Sequence, residues 1–367
     1  MLKDYMGILD LNENDTNIRS LTHNRPLASI PIGGRYRIVD FILSNLVNSG
    51  IQNIGIFTKG NSRSLIDHLG AGKPWDLNRK INGLFVFNGS VSGSNDIEML
   101  KDNMDYLYQS RQENVILAST FMLCNIDLDE AARAHEESGR DMTMIYKKVH
   151  DGKKKFIDCD VLNIDKQNRV LSVGKNIGID DENNISMQMF IMKKETLINF
   201  ISECVKTGYY NSIKDSIYRN AKKLDINAYE YKGYLSCINS IQSFYQSNMD
   251  MLDININREL FFNNGLIYTK VKDESPTKYS CDCNVINSLV ANGCIIEGNV
   301  KNSIISRRVI VHKGAELNNC IIMQNCEIGE NARLTNVIMD KDVIVQKDVE
   351  LKGHPENPLT IGKKAVV

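Results

Sequence analysis

The sequence has no long apolar run, no appreciable excess of either charge and no C-x-x-C motif. No stretch reaches the roughly 18 consecutive apolar residues of a membrane-spanning helix, so no such helix is expected. Forty-four basic side chains stand against 45 acidic ones, a net charge of −1. That balance gives no electrostatic footprint for nucleic acid or an anionic membrane, and neither is expected as a partner. The start, MLKDYMGILDL, lacks a basic flank and a cleavage site. The nine cysteines are odd in number and include no C-x-x-C pair. Reduced thiols and a cytoplasmic location are therefore expected. Cys281 and Cys283 are two apart, on one face if the segment is a strand, and read as small buried hydrophobes rather than metal ligands.

What is present describes a globular chain: 367 residues, 42% hydrophobic and 24% charged. That length predicts two domains. The organising stretch is Pro31–Ile51, PIGGRYRIVDFILSNLVNSGI. A glycine turn, Gly33-Gly34, leads into a helix in which Ile38, Phe41, Ile42, Asn45, Leu46 and Ser49 recur at three- and four-residue steps. Gly50 stands where that helix should end, and Gln52–Thr58 reads as a buried parallel strand. Asp40, Arg35 and Arg37 either pair with each other, stay solvated or face a ligand.

Strands are predicted at Tyr5–Leu11, Leu84–Phe87, Val115–Ala118, Asp141–Tyr146, Val161–Asp165 and Ser186–Met192. Helices are predicted at Arg63–Leu69, Glu98–Gln109, Leu128–Glu137 and, last, Tyr245–Asn257. This alternation implies an α/β domain over residues 1–257 with a mostly parallel sheet. In such a sheet ligands sit beyond the carboxyl ends of the strands.

A polar linker is expected over 258–283, and a repeat follows over 284–367. NSIIS, NCIIM and NVIMD begin at Asn302, Asn319 and Asn336, a step of 17. Val309–Leu317, Cys326–Leu334 and Val343–Leu351 keep the same step. Small or aliphatic residues recur about every six positions, the hexapeptide pattern of a parallel β-helix whose coils stand only by stacking.

The signature stretch, the run Trp75–Arg79 (WDLNR), Gly233-Tyr234 followed by Asn248-Met249-Asp250, and the terminal repeat together resemble the bacterial ADP-glucose pyrophosphorylase (glucose-1-phosphate adenylyltransferase) family. The resemblance is collinear over nearly the whole chain. It implies a Rossmann-like nucleotidyltransferase domain, with helices on both faces of its sheet, joined to a left-handed β-helix. It also implies chemistry in which ATP and glucose 1-phosphate give ADP-glucose and pyrophosphate with Mg2+.

The groups that chemistry needs are missing. The family's glycine loop, of the form G-G-x-G-T-R, is replaced by Asn12, Glu13, Asn14, Asp15, Thr16 and Asn17. Glu13 and Asp15 would bring carboxylates to a triphosphate, costing on the order of 4 kcal/mol per like-charged pair ~4 Å apart. A solvated acidic loop is expected instead. The family's lysine before its own glycine turn aligns with Leu27, with Arg25 two residues away. The two metal-carboxylate positions fall on Phe121 and Cys237, neither suited to a hard cation. Asp127 is in a position the family uses structurally. The sugar-phosphate positions are partly kept: Lys175 and Ser186 remain, while Gln188 stands where the family has glycine. Gly33, Gly34, Lys175 and Ser186 are thus expected as vestigial substrate-binding residues.

Together these losses resemble the GlgD-type, non-catalytic branch of the family. They imply a glycogen-biosynthesis subunit with no catalytic residues and no bound metal or other cofactor. Its partner would be a catalytic ADP-glucose pyrophosphorylase subunit in a hetero-oligomer, with a sugar phosphate or nucleotide as possible effector. Two other readings stay open. One is an active adenylyltransferase with a metal site rebuilt from Asp40, Asp76 or Asp127. The other is a hexapeptide-repeat acyltransferase using His312 as general base.

Overall fold

The computed structural model describes residues 1–11, 13–89, 95–208 and 212–367. Contacts divide the chain into two compact units. The first comprises Met1–Glu13, Phe41–Cys237 and Phe261–Tyr268; the second comprises Asn14–Asp40, Ile238–Leu260 and Thr269–Val367.

In the first unit, nine strands among the described residues form one mixed sheet. They are β1 (Tyr5–Asp10), β2 (Asn53–Lys59), β3 (Gly83–Gly89), β4 (Asn114–Ala118), β5 (Met142–Val149), β6 (Asp160–Ile164), β7 (Val170–Lys175), β8 (Asn183–Lys193) and β9 (Ile226–Glu230). The order along the main path is β7-β6-β8-β4-β1-β2-β3, and β5 pairs with both β8 and β9. Strands β3, β2, β1 and β4 run parallel to their neighbours, as Rossmann-like strands do. The other half turns antiparallel through β8, which pairs with β4, β5 and, at Ile185, β6.

Helix α1 (Ile38–Asn48) carries the signature stripe. Every residue from Ile38 to Leu46 is buried, so the helix is enclosed on all sides rather than presenting one apolar face. This explains its internal polar residues: Asn45 Nδ2 donates to the Cys124 carbonyl at 3.1 Å, and Ser49 Oγ accepts from Leu128 N–H at 3.1 Å. At its start, Asp40 accepts the Arg37 backbone N–H at 2.9 Å, the N3-to-N-cap half of a capping box.

Helix α2 (Arg63–Leu69) matches its expected bounds. The helix expected over Glu98–Gln109 is instead two, α3 (Asp96–Asp102) and α4 (Met104–Gln109). Asn103 separates them with φ −117°, and its side chain takes the Met99 carbonyl at 2.7 Å. Helices α5 (Leu128–Ser138), α6 (Lys194–Thr207) and α7 (Ile213–Arg219) complete this unit's larger helices. The last predicted helix is also two, α8 (Ile241–Asp250) and α9 (Ile254–Phe261). Ser240 and Ser243 start α8 with a reciprocal capping box, earlier than apolar spacing alone marks.

In the second unit, fifteen short strands stack into three five-stranded parallel sheets, the three faces of a left-handed β-helix. The first rung is Lys278–Tyr279, paired with Ile295–Ile296, inside the stretch expected as linker. Cys294, Ile296, Val300, Ile305, Val309 and Val311 begin an apolar column that continues through the later coils. Asn302, Asn319 and Asn336 hold the corners with φ of 47°, 53° and 54°. Asparagine tolerates that left-handed backbone and its amide bonds to the next coil, as from Asn319 Nδ2 to Asn336 Oδ1 at 3.3 Å. Cys281 and Cys283 do not lie on a strand: Cys281 is exposed in a turn and Cys283 only half-buried. Among the described residues no helix is long and apolar enough to cross a membrane.

Candidate functional site

Strand β1 has β2 on one side and β4 on the other, so the sheet's switch point lies at its carboxyl end. A nucleotide-binding loop would follow β1 there. Asn12 lies outside the described residues. Glu13, expected in a solvated loop, is instead partly buried and turned inward. Its carboxylate accepts the Thr120 hydroxyl at 2.7 Å and the Thr120 backbone N–H, just beyond β4. Burial pushes the Glu13 carboxyl up to about 7, against the pull of the Thr120 and Phe121 donors and of Lys214. The amides after β4 are therefore already taken by the chain's own carboxyl group. Further along this loop, Asn14 Oδ1 accepts from Thr16 N–H and Oγ1, and Asp15 pairs with Arg19 at 3.3 Å.

Phe121, beside one short strand, and Cys237, on the strand paired with it, stand where the resemblance expects metal carboxylates. Ser236–Cys237 pairs antiparallel with Met122–Leu123, placing Cys237 opposite Met122, the neighbour of Phe121. Cys237 Sγ lies 3.1 Å from Cys159 Sγ, and both are buried thiols that form no disulfide. Burial, the Cys159 thiol and the nearby Asp160 and Glu13 carboxylates all push the Cys237 thiol well up, so it stays protonated. A magnesium ion asks for hard oxygen donors in octahedral array. A phenyl ring, a neutral thiol pair and a carboxyl group engaged by Thr120 do not fit it. Among the described residues no group of three or more His, Cys, Asp or Glu is placed to hold a metal.

The alternative carboxylates have other work. Asp127 caps α5 by accepting the Asp129 N–H at 2.9 Å. Asp76 is exposed and pairs with Arg79. Asp40 is fully buried at the start of α1.

Lys175 and Ser186 are drawn into one polar cluster built on Asp160. Lys175 and Asp160 are cross-strand partners where β7 meets β6, with Nζ 3.2 Å from Oδ1. Lys214 Nζ, on α7, stands 3.6 Å from Oδ2, and Gln188 Nε2 donates to Oδ2 at 2.7 Å. A register shift in β8 between Ser186 and Phe190 makes this possible. Within it Gln188 adopts φ +52°, and its N–H donates to Ser186 Oγ at 3.2 Å. Ser186 Oγ and Tyr218 OH are 3.1 Å apart. Burial first, then the Asp160 charge, holds the Tyr218 phenol well above its usual range. Asp160, Lys214 and Tyr218 went unrecognised in the sequence. The one available signal was the Asp165–Asn168 turn that joins β6 to β7; a bulge between Val170 and Ser172 then sets Lys175 opposite Asp160.

Gly33 and Gly34 belong to the second unit and are held by it. The Gly33 N–H donates to Asn248 Oδ1 at 3.0 Å, linking the two signature motifs. Gly34 has φ +73°, and a Cβ there would meet the Ile305 carbonyl oxygen at 3.2 Å. Leu27 is buried, and Arg25 is not a free substitute for the missing lysine. Its Nη2 lies 2.5 Å from Asp340 Oδ2 and its Nε donates to the Leu21 carbonyl at 2.9 Å. Burial, then Arg37 and Arg25, press the adjacent Lys341 down to about 7. His312 is a surface residue between Glu327 at 2.8 Å and Glu297 at 3.8 Å.

Comparison with known proteins agrees with this construction. Residues 15–222 match the family described as nucleotidyl transferase, and residues 274–357 match the GlmU-like C-terminal hexapeptide family. The chain is 37% identical over 366 residues to the glycogen biosynthesis protein GlgD of Bacillus subtilis, covering 98% of this chain and 96% of that one. It is 38% identical over 316 residues to the GlgD protein of Geobacillus stearothermophilus, covering 84% and 82%. A glucose-1-phosphate adenylyltransferase of Mycoplasma mobile is 28% identical over 322 residues, covering 85% and 84%.

Proposed function

The chain belongs to the GlgD family of glycogen biosynthesis proteins, related to glucose-1-phosphate adenylyltransferase, and on that premise we propose that it is a non-catalytic regulatory subunit. It assembles with a catalytic ADP-glucose pyrophosphorylase subunit in the cytoplasm and raises that subunit's activity. The observation that carries this reading is the pair Phe121 and Cys237, the latter a buried thiol 3.1 Å from Cys159, where the resemblance calls for metal carboxylates. Nucleotidyl transfer rests on positioning and charge stabilisation, so a site without metal ligands loses most of its means. The Glu13 carboxyl group at the switch point supports the same reading, because a triphosphate would displace it from Thr120 at electrostatic cost. The fold that remains is a scaffold for subunit contact.

Gly33, Gly34, Lys175 and Ser186 are remnants of a substrate site on this reading, and a sugar phosphate or nucleotide is the class of effector it would answer to. The test is to co-express the chain with a catalytic subunit, separate the products by size and assay ADP-glucose formation with and without it. Co-elution and a higher rate are expected. Separate elution with an unchanged rate would reject the role.

A further inference from the structure

The three faces of the β-helix differ in what they turn outward. On one face Ile304, Ile321 and Ile338 point away from the core yet are buried, and Gly34 lies against Ile304. A second face turns out polar side chains, among them Lys301, Glu316, Arg333 and Lys352. The third is built from Lys278–Tyr279, Ile295–Ile296, Ile310–Val311, Glu327–Ile328 and Ile344–Val345. Ile296, Val311, Ile328 and Val345 fill the core, so alternation turns Lys278, Ile295, Ile310, Glu327 and Ile344 outward in one column. Ile295 is 38% exposed. In the next outward column Glu297 and His312 stand on adjacent rungs, with side chains 44% and 34% exposed. Ile295 and Ile310 thus form an apolar patch rimmed by charge, the pattern of a contact surface.

The order of the charges says which surface fits. A second copy of this face can be laid over the first about a two-fold axis parallel to the strands, between the second and third rungs. Lys278 then meets the other copy's Glu327, Ile295 meets Ile310, and Glu297 meets His312. Both columns match in this one register. Moving the axis one rung either way sets an isoleucine against Lys278 or Glu327. We propose that this face joins two copies of the chain, closed by Ile295 on Ile310 and oriented by the Lys278–Glu327 and Glu297–His312 pairs. The contact goes beyond assembly with a catalytic subunit, because it joins like to like. Four rungs about 4.8 Å apart on a face roughly 15 Å wide cover roughly 300 Å² per copy, against about 800 Å² in a standard interface. The contact is therefore weak by itself and depends on concentration, with the charge pairs setting its register more than its strength.

The test is sedimentation equilibrium of the full-length chain alone, from about 5 to about 500 μM, a range that spans weak association. At the highest concentration the wild type should reach twice the mass of Ile295→Asp, which puts a charge at the centre of the contact. Lys278→Glu and Glu327→Lys should each weaken association roughly tenfold, since each sets like charges face to face twice across the axis. The double variant Lys278→Glu/Glu327→Lys should recover wild-type association, because the pair is restored with its signs exchanged. That recovery keeps the test decisive if Ile295→Asp does not fold. Equal masses for the wild type and a folded Ile295→Asp would overturn the proposal, as would a double variant no stronger than its parents. Loss of co-elution with a catalytic subunit in Ile295→Asp, without a change in self-association, would assign the face to that subunit and overturn it too. None of these results bears on whether the chain is catalytic.

Discussion

Replacing Glu13 by Gln should change how stability depends on pH, because this carboxyl group is held protonated by the fold. Its pKa is raised from 4.5 to about 7, chiefly by burial. Below about 4.5 the group is protonated in both the folded and the unfolded chain. As pH rises from there to about 7, the unfolded chain releases the proton first and gains stability relative to the fold. Glu13 therefore supports the fold at low pH and loses that contribution through this window. A tenfold difference in proton affinity is worth about 1.4 kcal/mol, so the loss is capped near 3 kcal/mol, less where solvent reaches the partly exposed loop. The Gln side chain keeps an oxygen for the Thr120 hydroxyl, bonded at 2.7 Å in the wild type, and carries no charge to lose. Thermal melts at intervals from pH 4.5 to 8 should show Glu13→Gln gaining on the wild type as pH rises, by several degrees at the top. A difference in Tm that stays flat across the range, or shrinks with rising pH, would refute the assignment of Glu13 as a buried acid.

Arg25→Ala should cost about 3–5 kcal/mol, because it leaves the Asp340 carboxylate buried and unpaired; denaturant titration measures it. Cys237→Asp, which restores the carboxylate that the resemblance calls for, should destabilise by several kcal/mol beside Asp160 and Glu13, with no rise in Tm on adding Mg2+. Gly34→Ala should cost about 1–2 kcal/mol, since Gly34 combines φ +73° with close approach to Ile305; melts of the purified variant test this.

The fold was legible wherever a local pattern repeats. The 17-residue step is visible because each coil needs an asparagine at the same left-handed corner and aliphatic residues in the same column. Helix α2 was legible to its ends, whereas the break at Asn103 was not, since it depends on one side chain turning back to the Met99 carbonyl. The antiparallel half of the sheet depends on β8 meeting three partners, which alternation along the chain does not encode.

At the candidate site, the sequence shows a phenylalanine and a cysteine where the resemblance expects carboxylates, but not what surrounds them. Glu13 meets Thr120 across 107 residues and Cys159 meets Cys237 across 78, contacts that only the closed fold brings together. Asp160 lay beside a strand already recognised, and its importance comes from Lys175, Lys214 and Gln188 meeting on it.

The central claim is tested most directly by following pyrophosphate release from ATP and glucose 1-phosphate with Mg2+, using the purified chain alone. The missing metal ligands predict no ADP-glucose formation above the protein-free control. Turnover on the order of 1–10 per second, ordinary for an enzyme, would contradict the account.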